Sequence, residues 1–307
     1  MIAPLVESDL PLPLWRRGKV REVYEVDRTR LLIVASDRVS AFDVVMAEPV
    51  PDKGRVLTQL SAHWFRQLAH VGPSHFITAS TDAIVAELPF LADHRDQIDG
   101  RAMLVHRTTP VAFECVVRGY LAGSAWGEYR RVGTLAGEAL APGLQESERL
   151  VPPIFSPATK AAGGHDENVP IAMMRQALGA SLADALRDWS LTLYAAGRDI
   201  AAERGVIVAD TKFEFGLDAA GQPMLIDEIL TPDSSRFWPA RGYAAGHNQP
   251  SLDKQPLRDW LAEERSAGRW DGDAPPPALP DAVITASATR YRDAYRLLVG
   301  HDLGEEQ

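Results

Sequence analysis

The stretch from Val206 to Trp238, VIVADTKFEFGLDAAGQPMLIDEILTPDSSRFW, restricts the fold more than any other part of the chain. Two apolar runs, Val206 to Ala209 and Met224 to Leu230, flank the turn-forming Asp218-Ala219-Ala220-Gly221, which predicts an antiparallel pair joined by a short loop. Asp210, Lys212 and Glu214 alternate with Thr211, Phe213 and Phe215. With a side-chain period of two, three charges fall on one strand face and bulky apolar groups on the other. Asp227 and Glu228 are expected to close the second strand. Such a pair aims carboxylates and an ammonium into one cleft, the equipment for holding Mg²⁺ against a polyphosphate. An amphipathic hairpin with its charges on a solvated face has the same spacing, so the hairpin alone leaves both readings open. Directly behind it, Thr231 to Arg236 supplies turn formers, an acid, two hydroxyls and a guanidinium, a set suited to fixing an anionic small molecule.

Upstream, Lys19 to Val26 alternates as a strand, residues 27–30 turn, and Leu31 to Ala35 forms a second, apolar strand. Gly18, Lys19 and Arg21 open this hairpin. A glycine and two cations at a strand opening can lie over phosphates, and an ordinary surface hairpin has the same short pattern. Ser36 to Asp43 reads as a polar Asx turn between apolar strands, and Arg55 to His70 as a packing helix. Arg101 to Arg107 and Val111 to Leu121 are strands joined by Thr108-Thr109-Pro110. Glu114 and Arg118, four apart, share a face of the second, and Gly123-Ser124 turns into a helical run through Tyr129. Residues 151–168 have no period and read as a long loop. Ile171 to Arg204 reads as two helices broken near Gly179. Helices near Leu257 to Ala267 and Ala282 to Leu298 are expected to brace the larger lobe.

A chain of 307 residues with 46% hydrophobic content can bury a sizeable core. Its net charge of −10 argues against a general nucleic-acid or anionic-membrane binder, while leaving room for local basic pockets. Cys115 is the single cysteine, which excludes an intramolecular disulfide and a cysteine zinc cluster; its apolar surroundings predict a packed core thiol. No uninterrupted apolar run approaches the roughly 20 residues that span a bilayer, and the N-terminus has no basic n-region. A soluble cytoplasmic protein is expected, a monomer or weak dimer.

Long ordered blocks carry a resemblance. DTKFEFG (Asp210 to Gly216) and DEILTPDSSRFW (Asp227 to Trp238) resemble the signature of the SAICAR synthetase family of purine biosynthesis. Further blocks are RGKVREVY (Arg17 to Tyr24), SDRVSAFD (Ser36 to Asp43), PDKGRVLTQLS (Pro51 to Ser61), ECVVRGYLAGSAW (Glu114 to Trp126) and TKAAGGHDEN (Thr159 to Asn168). The last is similar to the longer, yeast-like branch. Ala112 is a departure, since members often carry proline there.

The resemblance implies an α+β fold of two lobes, a small β-rich nucleotide-binding lobe over residues 1–110 and a larger mixed α/β lobe over 111–307, reminiscent of protein kinases and ATP-grasp enzymes. It implies an ATP-dependent ligase that joins carboxyaminoimidazole ribonucleotide (CAIR) to L-aspartate, giving SAICAR, ADP and phosphate through an acyl phosphate. Gly18, Lys19 and Arg21 would meet the triphosphate. Pro110 lacks an N–H, so a backbone donor to adenine falls to a neighbour such as Thr108 or Val111. Glu214 and Asp227 would hold Mg²⁺. Asp210 and Lys212 would be catalytic, bordering CAIR with Asp233 and Arg236. Glu114, Arg118 and Ser124 would surround the same nucleotide, and Lys160, His165 and Asp166 would close over the amino acid. A small-molecule kinase shares the glycine loop and metal acids, but no HRD-type catalytic loop with its downstream Asn is present and no DFG occurs. A non-catalytic nucleotide-binding regulator would not need so complete a set of metal and anion groups.

Overall fold

The computed structural model describes residues 3–42, 44–159 and 168–305. The chain divides into two compact units. One comprises Met1–His63, His75–Arg107 and Leu252–Gln307, the other Trp64–Ser74 and Thr108–Ser251. The division departs from the expected boundary after residue 110, because the C-terminal segment belongs with the N-terminal one. Long-range contacts account for this: Arg292 pairs with Asp52 at 2.8 Å, the Leu279 N–H donates to Glu48, and the Lys53 ammonium lies 5.6 Å from the centre of the Tyr291 ring.

The first unit is built on a five-stranded antiparallel sheet in the order Leu14–Arg17, Arg21–Glu25, Arg30–Ala35, Ala102–His106, Phe76–Thr78. The expected hairpin is present. Its turn is set by the Asp27 carboxylate, which accepts the N–H groups of Thr29 and Arg30 at 2.8 and 2.9 Å. Tyr24, Leu32, Val34 and Leu104 pack with Ile84, Leu91 and Ile98 into one core. Ser36 to Asp43 is more than a local Asx turn. The fully buried Asp37 reaches across the unit to the Leu5 N–H (2.8 Å), the Arg101 guanidinium (3.0 Å) and the Gly54 N–H (2.9 Å) at the start of helix Lys53–Gln67.

The second unit carries a six-stranded antiparallel sheet. Arg149–Phe155, Thr109–Tyr120, Val206–Leu217 and Pro223–Ile226 form its main path; Ala158–Thr159 also pairs with Thr109–Tyr120, and Ser235–Pro239 with Val206–Leu217. Residues 151–155 and 158–159 are therefore strand, where an irregular loop is expected. Pro152 and Pro153 hid them; both fall within the register shift between Arg149 and Ile154, where a missing N–H breaks no ladder bond. Helices Ile171–Leu178 and Ala180–Glu203 meet at Gly179, whose φ of 83° allows the break. The longer helix packs on the apolar face of the central strand: Trp189 lies on Phe215 with ring centres 5.1 Å apart, and the Tyr194 hydroxyl donates to the Val208 carbonyl at 2.8 Å. Cys115, in register with Phe213 on the neighbouring strand, is buried as a core thiol.

The second hairpin strand stops at Ile226 rather than running on to Leu230. Asp227 and Leu230 have φ of +66° and +49°, left-handed conformations that take the chain out of the ladder while Ile229 and Leu230 remain buried. Among the described residues no helix is long and apolar enough to cross a membrane.

Candidate active site

Three neighbouring strands of the second sheet put Asp210 in register with Arg118 on one side and Arg236 on the other. Both guanidinia donate to the same oxygen, Asp210 Oδ2, with Arg118 Nη1 at 3.2 Å. Arg118 is 4% exposed. Burial lowers its pKa, and the Asp210 charge opposes that shift. Its remaining donors reach Ser156 Oγ (2.8 Å), Ser124 Oγ (3.3 Å) and Asn168 Oδ1 (3.1 Å). Asn168 in turn donates to Glu128 at 3.2 Å.

Ser124 sits in the first turn of helix Gly123–Val132, which begins without a side-chain cap. Gly123, at φ +55°, leaves room for Arg236 against this helix start; a β-carbon there would come within 2.2 Å of the guanidinium. Two guanidinia, a hydroxyl and the N-terminal amides of a helix thus share one corner, a setting that favours an anion. A cavity of about 600 Å³ opens beside it, lined by Ser124, Gly127, Glu128, Arg131, Val132 and Asn168.

Further along the same strand face the sign of charge reverses. Lys212 Nζ donates to Glu114 Oε1 at 2.5 Å and lies 3.4 Å from Glu214 Oε1. Burial works against its charged form, but Glu214 and Glu114, helped by Asp227, overcome that and push the Lys212 pKa up. Asp227 follows Ile226, the residue paired with Glu214, and its left-handed backbone is the kind of local strain that collects at functional positions. Among the described residues no group of three or more His, Cys, Asp or Glu is placed to hold a metal ion. Glu214 and Asp227 offer hard oxygen donors, which fits Mg²⁺, a cation that takes one or two protein carboxylates and completes its shell with water and phosphate.

Asp233 lies in the turn behind the second hairpin strand, with its N–H donating to Thr231 Oγ1 at 3.2 Å. Thr231 also donates to Glu228 at 2.7 Å, and Thr211 and Ser235 share a hydrogen bond of 2.8 Å. These hydroxyls are buried and tie the Asp227 loop to the strand bearing Arg236.

Thr108 and Val111 flank the start of strand Thr109–Tyr120, which takes in the Thr109-Pro110 expected to be part of a joint. Pro110 faces Gly216 at a register irregularity, and Thr108 Oγ1 packs so closely on Gly216 that a β-carbon would meet it at 2.4 Å. Gly18, Lys19 and Arg21 belong to the first unit, where Lys19 and Val20 form the tip between two strands and the Gly18 N–H donates to the Arg21 carbonyl at 2.7 Å. Lys160, His165 and Asp166 lie outside the described residues. Sequence reasoning did not pick out Ser156, Glu128 or Asn168 as partners of the arginine cluster. Only Glu128 left a usable signal, four residues beyond Ser124 on the same helix face.

Comparisons with known proteins show which family the chain belongs to. The family model for SAICAR synthetase matches residues 14–275. A phosphoribosylaminoimidazole-succinocarboxamide synthase of Methylibium petroleiphilum is 51% identical over 298 residues, covering 96% of this chain and 98% of that protein. The enzyme of the same name from Cupriavidus taiwanensis is 51% identical, covering 95% and 96%. Among solved structures, SAICAR synthase from Saccharomyces cerevisiae, complexed with SAICAR, superposes with a TM-score of 0.86 at 38% identity, covering 98% of this chain and all of that one.

Proposed function

The chain belongs to the SAICAR synthetase family, and we propose that it joins the carboxylate of CAIR to the amine of L-aspartate at the expense of ATP, forming SAICAR, ADP and phosphate in purine biosynthesis. The observation that carries the site assignment is the charge order along one sheet face: Arg118, Asp210 and Arg236 at one end, Lys212, Glu114 and Glu214 at the other.

A carboxylate does not react with an amine at neutral pH, because its charge repels the nucleophile and oxide is a hopeless leaving group. Transfer of the γ-phosphoryl group of ATP to a CAIR carboxylate oxygen gives an acyl phosphate and releases ADP. The aspartate amine then attacks the carbonyl carbon, loses a proton, and expels phosphate together with the former carboxylate oxygen. The protein's part is positioning and charge neutralisation. Arg118, Arg236 and Ser124, at the uncapped helix start, suit the nucleotide's 5′-phosphate. Asp210 keeps the two guanidinia from repelling each other and holds them in register.

Lys212 stays an ammonium and faces the end where negative charge builds up during phosphoryl transfer; Glu114 fixes its head. Glu214 and Asp227 would hold Mg²⁺, which when bound neutralises phosphate oxygens and orients the transferred group. Gly18, Lys19 and Arg21 take the triphosphate, and Thr108 or Val111 offers backbone to adenine. Asp233 borders CAIR, and Lys160, His165 and Asp166 are assigned to the aspartate side. The test follows ADP release with CAIR alone, aspartate alone, and both. Stoichiometric release of ADP and SAICAR only when both are supplied supports the ligase; full ADP turnover with CAIR alone and no dependence on aspartate would overturn it.

A further inference from the structure

Three successive carbonyls at the tip of the first hairpin are held from one side by a single tripeptide, Ser36-Asp37-Arg38. Arg38 Nη2 donates to the Gly18 carbonyl at 3.1 Å and Nε to the Lys19 carbonyl at 3.0 Å. The Val20 carbonyl accepts from the N–H and the Oγ of Ser36, both at 2.9 Å. Arg38 is 9% exposed, and Nη1 donates to the Val6 carbonyl at 2.5 Å and to Glu22 Oε1 at 2.9 Å, an oxygen that Arg17 also approaches at 3.1 Å. Glu22 is fully buried. Burial alone would raise its pKa, yet hydrogen bonds from Ser8 and Arg38 hold it below the usual carboxylate range. A buried guanidinium is costly unless neutralised, and here the neutralising acid sits on the strand that leaves the turn.

The geometry of the peptide unit gives this arrangement a consequence for ligand binding. In a planar trans peptide the N–H points opposite to the C=O, and the cis peptides of the described residues lie at Pro152 and Pro275. The Gly18 and Lys19 carbonyls drawn towards Arg38 therefore turn the N–H groups of Lys19 and Val20 away from it, while the Arg21 N–H, opposite the Val20 carbonyl, faces back across the hairpin towards Gly18. Consecutive N–H groups aimed one way make an anion-binding concavity. The Lys19 and Arg21 side chains stem from the same four residues.

We propose that Arg38, neutralised by Glu22, is a positioning residue for nucleotide phosphate: it fixes the Gly18–Lys19–Val20 turn so that backbone N–H groups, together with Lys19 and Arg21, receive the phosphates of ATP. The inference rests on the reading of Gly18 to Arg21 as the triphosphate turn, and it adds the group that shapes that turn from behind. Arg38 itself does not touch the nucleotide.

The test uses the full chain and three variants. Arg38→Lys keeps a cation beside Glu22 but cannot fork to two carbonyls. Calorimetric titration with ADP and Mg²⁺, and steady-state KM values for ATP, CAIR and aspartate, are measured alongside the thermal midpoint. Arg38→Lys should weaken ADP binding and raise KM for ATP by about tenfold, with KM for CAIR and aspartate changed less than about twofold. Ser36→Ala removes only the hydroxyl bond to Val20 and should weaken ADP about twofold to threefold with the fold intact, which keeps the inference testable if Arg38→Lys folds poorly. Lys19→Ala separates the two levels of the argument. If Lys19→Ala weakens ADP but Arg38→Lys and Ser36→Ala bind it normally and merely melt earlier, Arg38 is structural and the inference is overturned. If Lys19→Ala leaves ADP affinity intact, the triphosphate turn itself is misassigned and the inference falls with it.

Discussion

Glu114 and Glu214 stand directly opposite each other on adjacent antiparallel strands, and the Lys212 ammonium reaches both, at 2.5 and 3.4 Å. Like charges facing across a ladder are destabilising unless a counter-charge intervenes. One side chain therefore keeps the strand pair together and, in the proposed mechanism, also supplies positive charge where phosphoryl transfer needs it.

Those duties can be separated. Lys212→Met retains most of the aliphatic stem and removes the charge. Turnover should fall at least about 100-fold, in the range of other lost electrostatic stabilisers, and the thermal midpoint should drop. Adding Glu114→Gln should recover the midpoint without recovering turnover. The pH dependence has a definite sign. Because the folded pKa of Lys212 is raised above its unfolded value of about 10.4, its stabilising contribution is complete below that pH and disappears as pH rises through the folded value. The gap in urea midpoint between wild type and Lys212→Met should thus be constant from pH 6 to 9, on the order of that reference pKa minus one or more, and shrink only at higher pH. A gap that closes by pH 8 would mean that Lys212 is not held as an ammonium.

The metal assignment predicts a charge effect without a fold effect. Asp227→Asn preserves size, and Asn tolerates the left-handed backbone at φ +66°, so the loop should survive. With one of two metal-binding carboxylates neutralised, turnover should collapse, and so should it in Glu214→Gln. Initial rates across a Mg²⁺ series decide the matter: near-normal turnover of Asp227→Asn at saturating Mg²⁺ would remove Asp227 from the metal site.

At the other end of the sheet face, Arg118→Ala and Arg236→Ala should raise KM for CAIR far more than KM for ATP. Each loses a charge-assisted bond worth about 1.5 to 3 kcal/mol, roughly 10-fold to 150-fold in affinity. Arg118→Ala should also lower the thermal midpoint more than Arg236→Ala, since its side chain is 5% exposed against 28% and Asp210 would be left more deeply uncompensated. Equal increases in both Michaelis constants would show that these arginines do not face CAIR.

Much of this was legible in the residues because strands and helices write their periods into the chain. Asp210, Lys212 and Glu214 announced one charged strand face, and Gly179 the break between two helices. The second hairpin strand was read too long because buried Ile229 and Leu230 are apolar in loop as they would be in strand; the left-handed Asp227 that ends the pairing has no signature at the level of composition. Partnerships were least legible. Asp210 meets Arg118 across 92 residues of chain and Arg236 across 26, and only the strand register brings the three together. Arg38 looked like one charge in a polar turn, yet it braces a loop about twenty residues upstream, because burial beside Glu22 left the backbone carbonyls as its other acceptors. The C-terminal helices were visible as helices, while their membership in the first unit depends on single long-range contacts such as Arg292 with Asp52.

The route of the oxygen atoms tests the mechanism itself. If the CAIR carboxylate is activated by direct phosphorylation, the oxygen that accepts the γ-phosphoryl group stays bonded to phosphorus when the aspartate amine displaces it from carbon. CAIR carrying ¹⁸O in its carboxylate should therefore yield phosphate with one labelled oxygen for each SAICAR formed, the other labelled oxygen remaining in the new amide. In the proposed mechanism Lys212 and Glu214, at the end of the sheet face away from Arg118 and Arg236, serve the phosphoryl group in flight rather than the nucleotide's own phosphate. Mass spectrometry of the released phosphate, taken over the same time course as SAICAR, gives the answer. Unlabelled phosphate appearing in step with SAICAR would rule out the acyl phosphate and leave these charged groups with a different transfer to stabilise.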